Sequence, residues 1–223
     1  MKYLSPAFFK FLDGLSKNNN KEWFDANRES YENDVKKPFR KLVEDLTEKL
    51  AKDLPELNRN VSKSVFRINR DIRFAKDKSP YKDHVAAVFS RNGTKDEDYP
   101  GFYMHFGSKE VAVGGGKYMV SKDQLAKIRQ EIFYNNKEFK KLLSDKNFVS
   151  KFKTLDGEKN KVLPPDYKDF VKEQPLIANK QFWYWADLSR KDALSDQIDT
   201  ILIQHMKAGL KINQFLWHAI QGE

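Results

Sequence analysis

The sequence predicts an α+β fold: an antiparallel β-meander sheet with a helical N-terminal lobe and a long C-terminal helix packed on one face. Apolar residues before position 55 recur at helical spacing, through Val35, Phe39, Leu42, Val43, Leu46 and Leu50. Between 84 and 117 they fall into short runs punctuated by Asn92-Gly93 and Gly107-Ser108, the pattern of strands joined by turns. From Ser195 to Ile220 a helical stripe returns through Ile198, Ile201, Leu202, Ile212, Phe215 and Leu216.

Each element has its own signal. Ser5-Pro6 reads as an N-cap followed by proline in the first turn, opening a short helix that ends near Gly14. Asn18 to Asn20 offers caps for a second helix, with Glu22 three residues after Asn19. Pro38 lies inside that helical pattern and predicts a kink or a fresh start. Phe66 and Ile68 alternate with Arg67 and Asn69, so Val65 to Asn69 reads as a half-buried strand. The triplet Gly114, Gly115, Gly116 reads as the end of the meander, and Ser121 with Gln124 as a capping box for a helix carrying Leu125, Ile128 and Ile132. A further helical piece covers Lys137 to Leu143, and the aromatic run Phe182 to Leu188 reads as a strand buried on both faces. The expected organisation is one α+β domain over 1–223, with a sub-lobe boundary near 145–165 where Pro164-Pro165 sits among charged and turn residues.

Chemistry concentrates in residues 65–84, VFRINRDIRFAKDKSPYKDH. Between 63 and 84 the chain carries seven basic and three acidic residues, nearly half of the whole excess of +9. Arg67, Arg70 and Arg73 stand at three-residue spacing among the apolar anchors Phe66, Ile68, Ile72, Phe74 and Tyr81. Arginine presents a planar fork of donors that matches phosphate and carboxylate, so an ordered cluster of them points to oxyanion recognition. The candidate ligand-binding residues are Arg67, Asn69, Arg70, Arg73, Lys78 and Tyr81, with Gly114, Gly115 and Gly116 as a candidate anion loop. His84 is the candidate general base, with His105 as a second imidazole in the meander.

Composition excludes several classes. Without cysteine there are no disulfides, thiolate nucleophiles or cysteine-ligated metal clusters, which fits a cytoplasmic location. The N-terminal apolar run is broken by Lys10 and lacks a small-residue cleavage pattern, and no stretch approaches a membrane span. No HExxH, Walker loop, GxGxxG or GxSxG motif is present, so neither a metal nor an organic cofactor is expected.

The stretches NNNKEWFDANRESY, FRINRDIRFAKDKSPYKDH, PGFYMHF, GGGKYM and KQFWYWADLS together resemble the successive motifs of a bacterial and fungal family, domain of unknown function 2461. The resemblance runs through nearly the whole chain. It implies a single cytoplasmic α+β domain and marks the basic segment, the Trp23-Phe24 helix start and the glycine triplet as family motifs, without implying a particular reaction.

Three functional readings fit these residues. The first is an anion- or phosphate-binding domain whose partner is a phosphorylated small molecule or nucleic acid. The second is a metal-independent hydrolase or phosphotransferase with Arg67 and Arg73 as clamps and His84 as base. The third is a non-catalytic interaction protein, in which the arginines pair with Glu22, Asp25, Glu29 and Glu32 of the second helix as a structural salt-bridge network.

Overall fold

The computed structural model describes residues 2–73 and 76–222; Phe74, read above as an apolar anchor, lies outside them. Four antiparallel strands form an open sheet in sequence order: β1 (His84–Phe89), β2 (Gly101–Gly107), β3 (Val111–Lys117) and β4 (Phe182–Leu188). The helices are α1 (Pro6–Lys17), α2 (Lys21–Ala26), α3 (Arg28–Ser30), α4 (Lys37–Leu50), α5 (Val61–Ser64), α6 (Lys122–Tyr134), α7 (Asn136–Leu143), α8 (Lys146–Phe152), α9 (Arg190–Ala193) and α10 (Ile198–Gln221). The chain divides into two compact units. One comprises residues 1–96, 103–113 and 187–203, and the other residues 97–102, 114–186 and 204–223.

In the first unit the three asparagines before α2 divide the work. Asn18 closes α1 by donating its backbone and side-chain N–H groups to the Gly14 carbonyl, and the Asn20 side chain caps α2 at the Trp23 N–H. Asn19 holds the backbone of Tyr81 instead, donating to its carbonyl at 2.9 Å and accepting from its N–H at 3.1 Å. Pro38 acts as its chemistry requires. It has no N–H for the carbonyl four residues back, and the chain before it widens into a π-turn, Tyr31–Lys36, in which the Lys37 N–H reaches Glu32. Phe8 and Phe39 meet Phe106 of β2 edge-on at 6.2 and 5.9 Å, and this aromatic cluster anchors the core.

Two expectations about strands need correction. Val65 to Asn69 is not a continuous strand. It makes two isolated antiparallel bridges, Val65 to Ala87 and Asn69 to Tyr81, because the register shifts by two residues between them. Asn92-Gly93 does not make a tight hairpin: residues 90–100 separate β1 from β2, and Gly93 takes φ +68° in a 3-10 turn pressed on the Lys63 backbone. Gly107-Ser108, by contrast, does turn the chain tightly, with the Gly107 N–H on the Glu110 carbonyl at 2.8 Å.

The second unit corrects two more. The glycine triplet continues β3 rather than ending the meander. Gly116, at φ +101°, lies so close to the Phe182 carbonyl that a Cβ there would collide with it, and a Cβ at Gly114 would strike Tyr184 and the Trp185 ring. Strand β4 is fully buried on one face only: Phe182 and Tyr184 are covered, while Trp183 and Trp185 are half-buried. Aromatic density marked β4 as interior without revealing that one face stays partly open. The Tyr184 hydroxyl donates to Asn213 at 2.9 Å, and Asn213 donates to the Gly101 carbonyl at 3.1 Å.

Candidate functional site

Two cations of the basic segment, Arg70 and Arg73, are paired with its own carboxylates. Arg73 forks onto Asp71 through two bonds of 3.0 and 2.7 Å, which with the Arg73 backbone N–H hold the Asp71 carboxyl at about 2. Arg70 pairs with Asp77, which also accepts from the Ser79 hydroxyl and N–H. Those Ser79 bonds do most to bring its carboxyl to about 2. Lys78 donates to the Ile72 carbonyl at 2.9 Å. The pairing with the second helix expected under the structural-network reading is absent among the described residues. Asp25 is taken by Lys21 and Arg28, and Glu32 by Lys36, because partners three and four residues away on one helix are already in reach.

The remaining candidates sit differently. The Tyr81 ring is buried and stacked on Phe24 at 4.1 Å, so it belongs to the core beneath the segment. Asn69 and Arg67 are exposed. Arg67 and Lys82 make no ion pair among the described residues: the Lys82 ammonium donates to the Arg67 carbonyl at 3.1 Å and lies 5.2 Å above the Phe66 ring. Burial, with the Arg67 and Arg70 charges added, lowers the Lys82 pKa from its ordinary value. The Lys82 ammonium is thus close enough to feel the Arg67 and Arg70 charges, while Arg70 is engaged by Asp77 and the Asp71 carboxylate, forked by Arg73, also feels Arg67.

An imidazole pair continues from that spot. Tyr103 and His105 occupy the half-open face of β2, whereas Phe102, Met104 and Phe106 on the alternate face are fully buried. Phe66 meets Tyr103 edge-on at 6.2 Å, Tyr103 meets His105 at 5.8 Å, and the His105 and His84 rings lie 5.3 Å apart. Asp83 faces Nδ1 of His84 at 3.2 Å, and Glu110 faces Nε2 of His105 at 3.4 Å. Burial lowers the His105 pKa from 6.5; the Glu110 carboxylate opposes that shift and the His84 ring adds to it. Burial also pushes the Tyr103 hydroxyl up to about 12. Gly107 lets the β2–β3 turn close over His84, since a Cβ there would stand 3.0 Å from the His84 Cβ. Among the described residues, no three His, Cys, Asp or Glu side chains are arranged to hold a metal ion.

Elsewhere in the same unit is a groove of about 740 Å³, walled by Phe9, Phe11 and Trp23 and sharing no residue with the basic segment. At its edge Arg190 forks onto Asp13 at 2.9 and 2.5 Å, donates to the Ser108 carbonyl and covers the Phe9 ring at 4.8 Å. The donors of Arg190 are turned to protein groups. The pair joins residues 177 apart, and no sequence signal marked it.

The architecture is that of a small α+β protein with a cation cluster beside a histidine pair. By sequence the chain belongs to the DUF2461 family of conserved hypothetical proteins, whose profile matches residues 7–215. No curated protein and no solved structure matches it. No helix among the described residues is long and apolar enough to cross a membrane.

Proposed function

We propose that the protein binds a small phosphorylated molecule, with Arg67 and Lys82 as the phosphate-contacting cations. The observation that carries this reading is the charge at Lys82: a half-buried ammonium that feels Arg67 and Arg70, with no carboxylate paired to it or to Arg67 among the described residues. Holding like charges together in a partly desolvated place is unfavourable, and an oxyanion relieves it. The excess is local, because Arg70 and Arg73 already have Asp77 and Asp71. Arg67 and Lys82 adjoin each other, the Lys82 ammonium lying on the Arg67 carbonyl, and such an adjoining pair suits one phosphate group better than the backbone of a polyanion.

The test is a thermal-shift and calorimetric screen of inorganic phosphate, sugar phosphates, nucleotides and short oligonucleotides. A ligand that binds only the folded state raises stability by RT ln(1 + [L]/Kd), about 2.7 kcal/mol at a hundredfold excess over Kd. A charge-assisted hydrogen bond contributes about 1.5–3 kcal/mol, so Arg67→Ala and Lys82→Ala each weaken binding about tenfold or more. Binding confined to oligonucleotides, with log K falling about 0.9 per phosphate neutralised on duplex DNA, overturns the small-molecule reading in favour of nucleic acid. No binding by any of these anions overturns it altogether.

A further inference from the structure

The histidine pair beside the cations has no task in binding alone. We propose that Nε2 of His84 is a phosphoryl acceptor, taking the group from a phosphoric anhydride such as an acyl phosphate and holding it as phosphohistidine. This inference rests on the anion-binding reading above.

Four observations support it. Asp83 faces Nδ1 of His84 at 3.2 Å, and a proton held there leaves the lone pair on Nε2. The His84 side chain is 31% exposed, and Nε2 meets no hydrogen-bond partner among the described residues. Lys82 stands two residues before His84, and its ammonium joins the imidazoles through the contiguous rings Phe66, Tyr103 and His105. Two residues of extended chain span at most about 7 Å, so a phosphate held at Lys82 is brought into the neighbourhood of the His84 ring. Finally, His105 is tucked against His84 in a buried setting that disfavours its charged form, so the cluster presents one reactive ring rather than two competing cations.

The step balances. The Nε2 lone pair forms an N–P bond as the P–O bond to the leaving group breaks, and the leaving group departs with that electron pair as a carboxylate or phosphate anion. An anhydride needs no proton donor for this departure, which is why that substrate class is assigned. The phosphorylated ring keeps its Nδ1 proton and is neutralised by Asp83. Attack of water on phosphorus returns the N–P electron pair to Nε2 and releases inorganic phosphate.

The experiment incubates the full chain with acetyl phosphate, with and without a chelator, quenches in alkali and maps phosphorylated peptides by mass spectrometry. His218, exposed on α10, serves as the internal measure of ordinary imidazole reactivity. The expected result is a base-stable, acid-labile phosphoryl group on His84, formed at least about tenfold faster than on His218 and indifferent to the chelator. Asp83→Asn slows it about 10–100-fold, the usual cost of losing a group that orients an imidazole, and His84→Asn abolishes it. Mapping in the wild type needs no variant to fold. An unmodified His84, or one that reacts no faster than His218, overturns the inference. Titration of the wild type with inorganic phosphate in parallel separates the two failures: binding without phosphorylation removes only this step, while no binding removes the anion site with it.

Discussion

Among the described residues Arg129 and Lys82 are both cations without a carboxylate partner, and they differ in what surrounds them. Arg129 on α6 is 6% exposed, and its guanidinium donates to the Ile177 carbonyl at 2.9 Å and the Asn179 carbonyl at 3.3 Å. It holds the loop before β4, and burial lowers its pKa without displacing its proton. Lys82 has one carbonyl, the Arg67 and Arg70 charges beside it, and a half-open position. A lone cation satisfied by carbonyls is scaffold. A cation among cations is where the proposal above seats an anion.

The contrast can be broken most forcefully at Arg129. Truncation to alanine leaves two buried carbonyls without donors and a void, so Arg129→Ala should lower stability by about 3 kcal/mol, roughly 6–12 °C in Tm for a chain of this size. A loss under about 0.5 kcal/mol in urea melts would show that the guanidinium holds nothing. Arg129→Lys sharpens the point, because it keeps the charge and loses the fork; an intermediate loss of about 1–2 kcal/mol is expected in the same melts.

At Lys82 the effects should reverse. Lys82→Ala relieves repulsion, so its stability should stay within about 0.5 kcal/mol of wild type or rise, while phosphate affinity measured by calorimetry falls about tenfold or more. Destabilisation comparable to that of Arg129→Ala would make Lys82 scaffold too. The smallest effect concerns His105. Its pKa is lower in the folded chain than the ordinary 6.5, so below about pH 7 the unfolded chain takes up a proton that the folded chain resists. Wild-type stability should therefore fall as pH drops through 6.5, and His105→Gln should flatten that part of the profile. Equal profiles for both proteins would remove burial as the dominant influence on His105.

Where the controlling interactions are local, the sequence was a good guide. The Ser121–Gln124 capping box, the break at Pro38 and the turn at Gly107 each depend on neighbours a few residues away, and each forms. The basic segment stood out for the same reason, and so did His84 and His105 as imidazoles of the meander. The division of labour among the cations was not legible. Arg70 and Arg73 meet carboxylates seven and two residues along the chain, and Lys82 meets none among the described residues, a difference set by loop geometry rather than by residue type. Tyr81 looked like a ligand contact until Asn19, 62 residues earlier, fixed its backbone and Phe24 covered its ring. The 5.3 Å approach of His84 and His105 depends on strand register across the connection at 90–100. Periodicity assigns residues to a face, and register decides which of them meet.

The most direct test of the charge excess at Lys82 is its own titration, followed by NMR of the side-chain ammonium with and without saturating inorganic phosphate. Free protein should show a pKa below the ordinary lysine value, Arg67→Ala should raise it, and phosphate should raise it in the wild type. A Lys82 pKa that is ordinary in the free protein, or that phosphate leaves unmoved, would contradict the anion site.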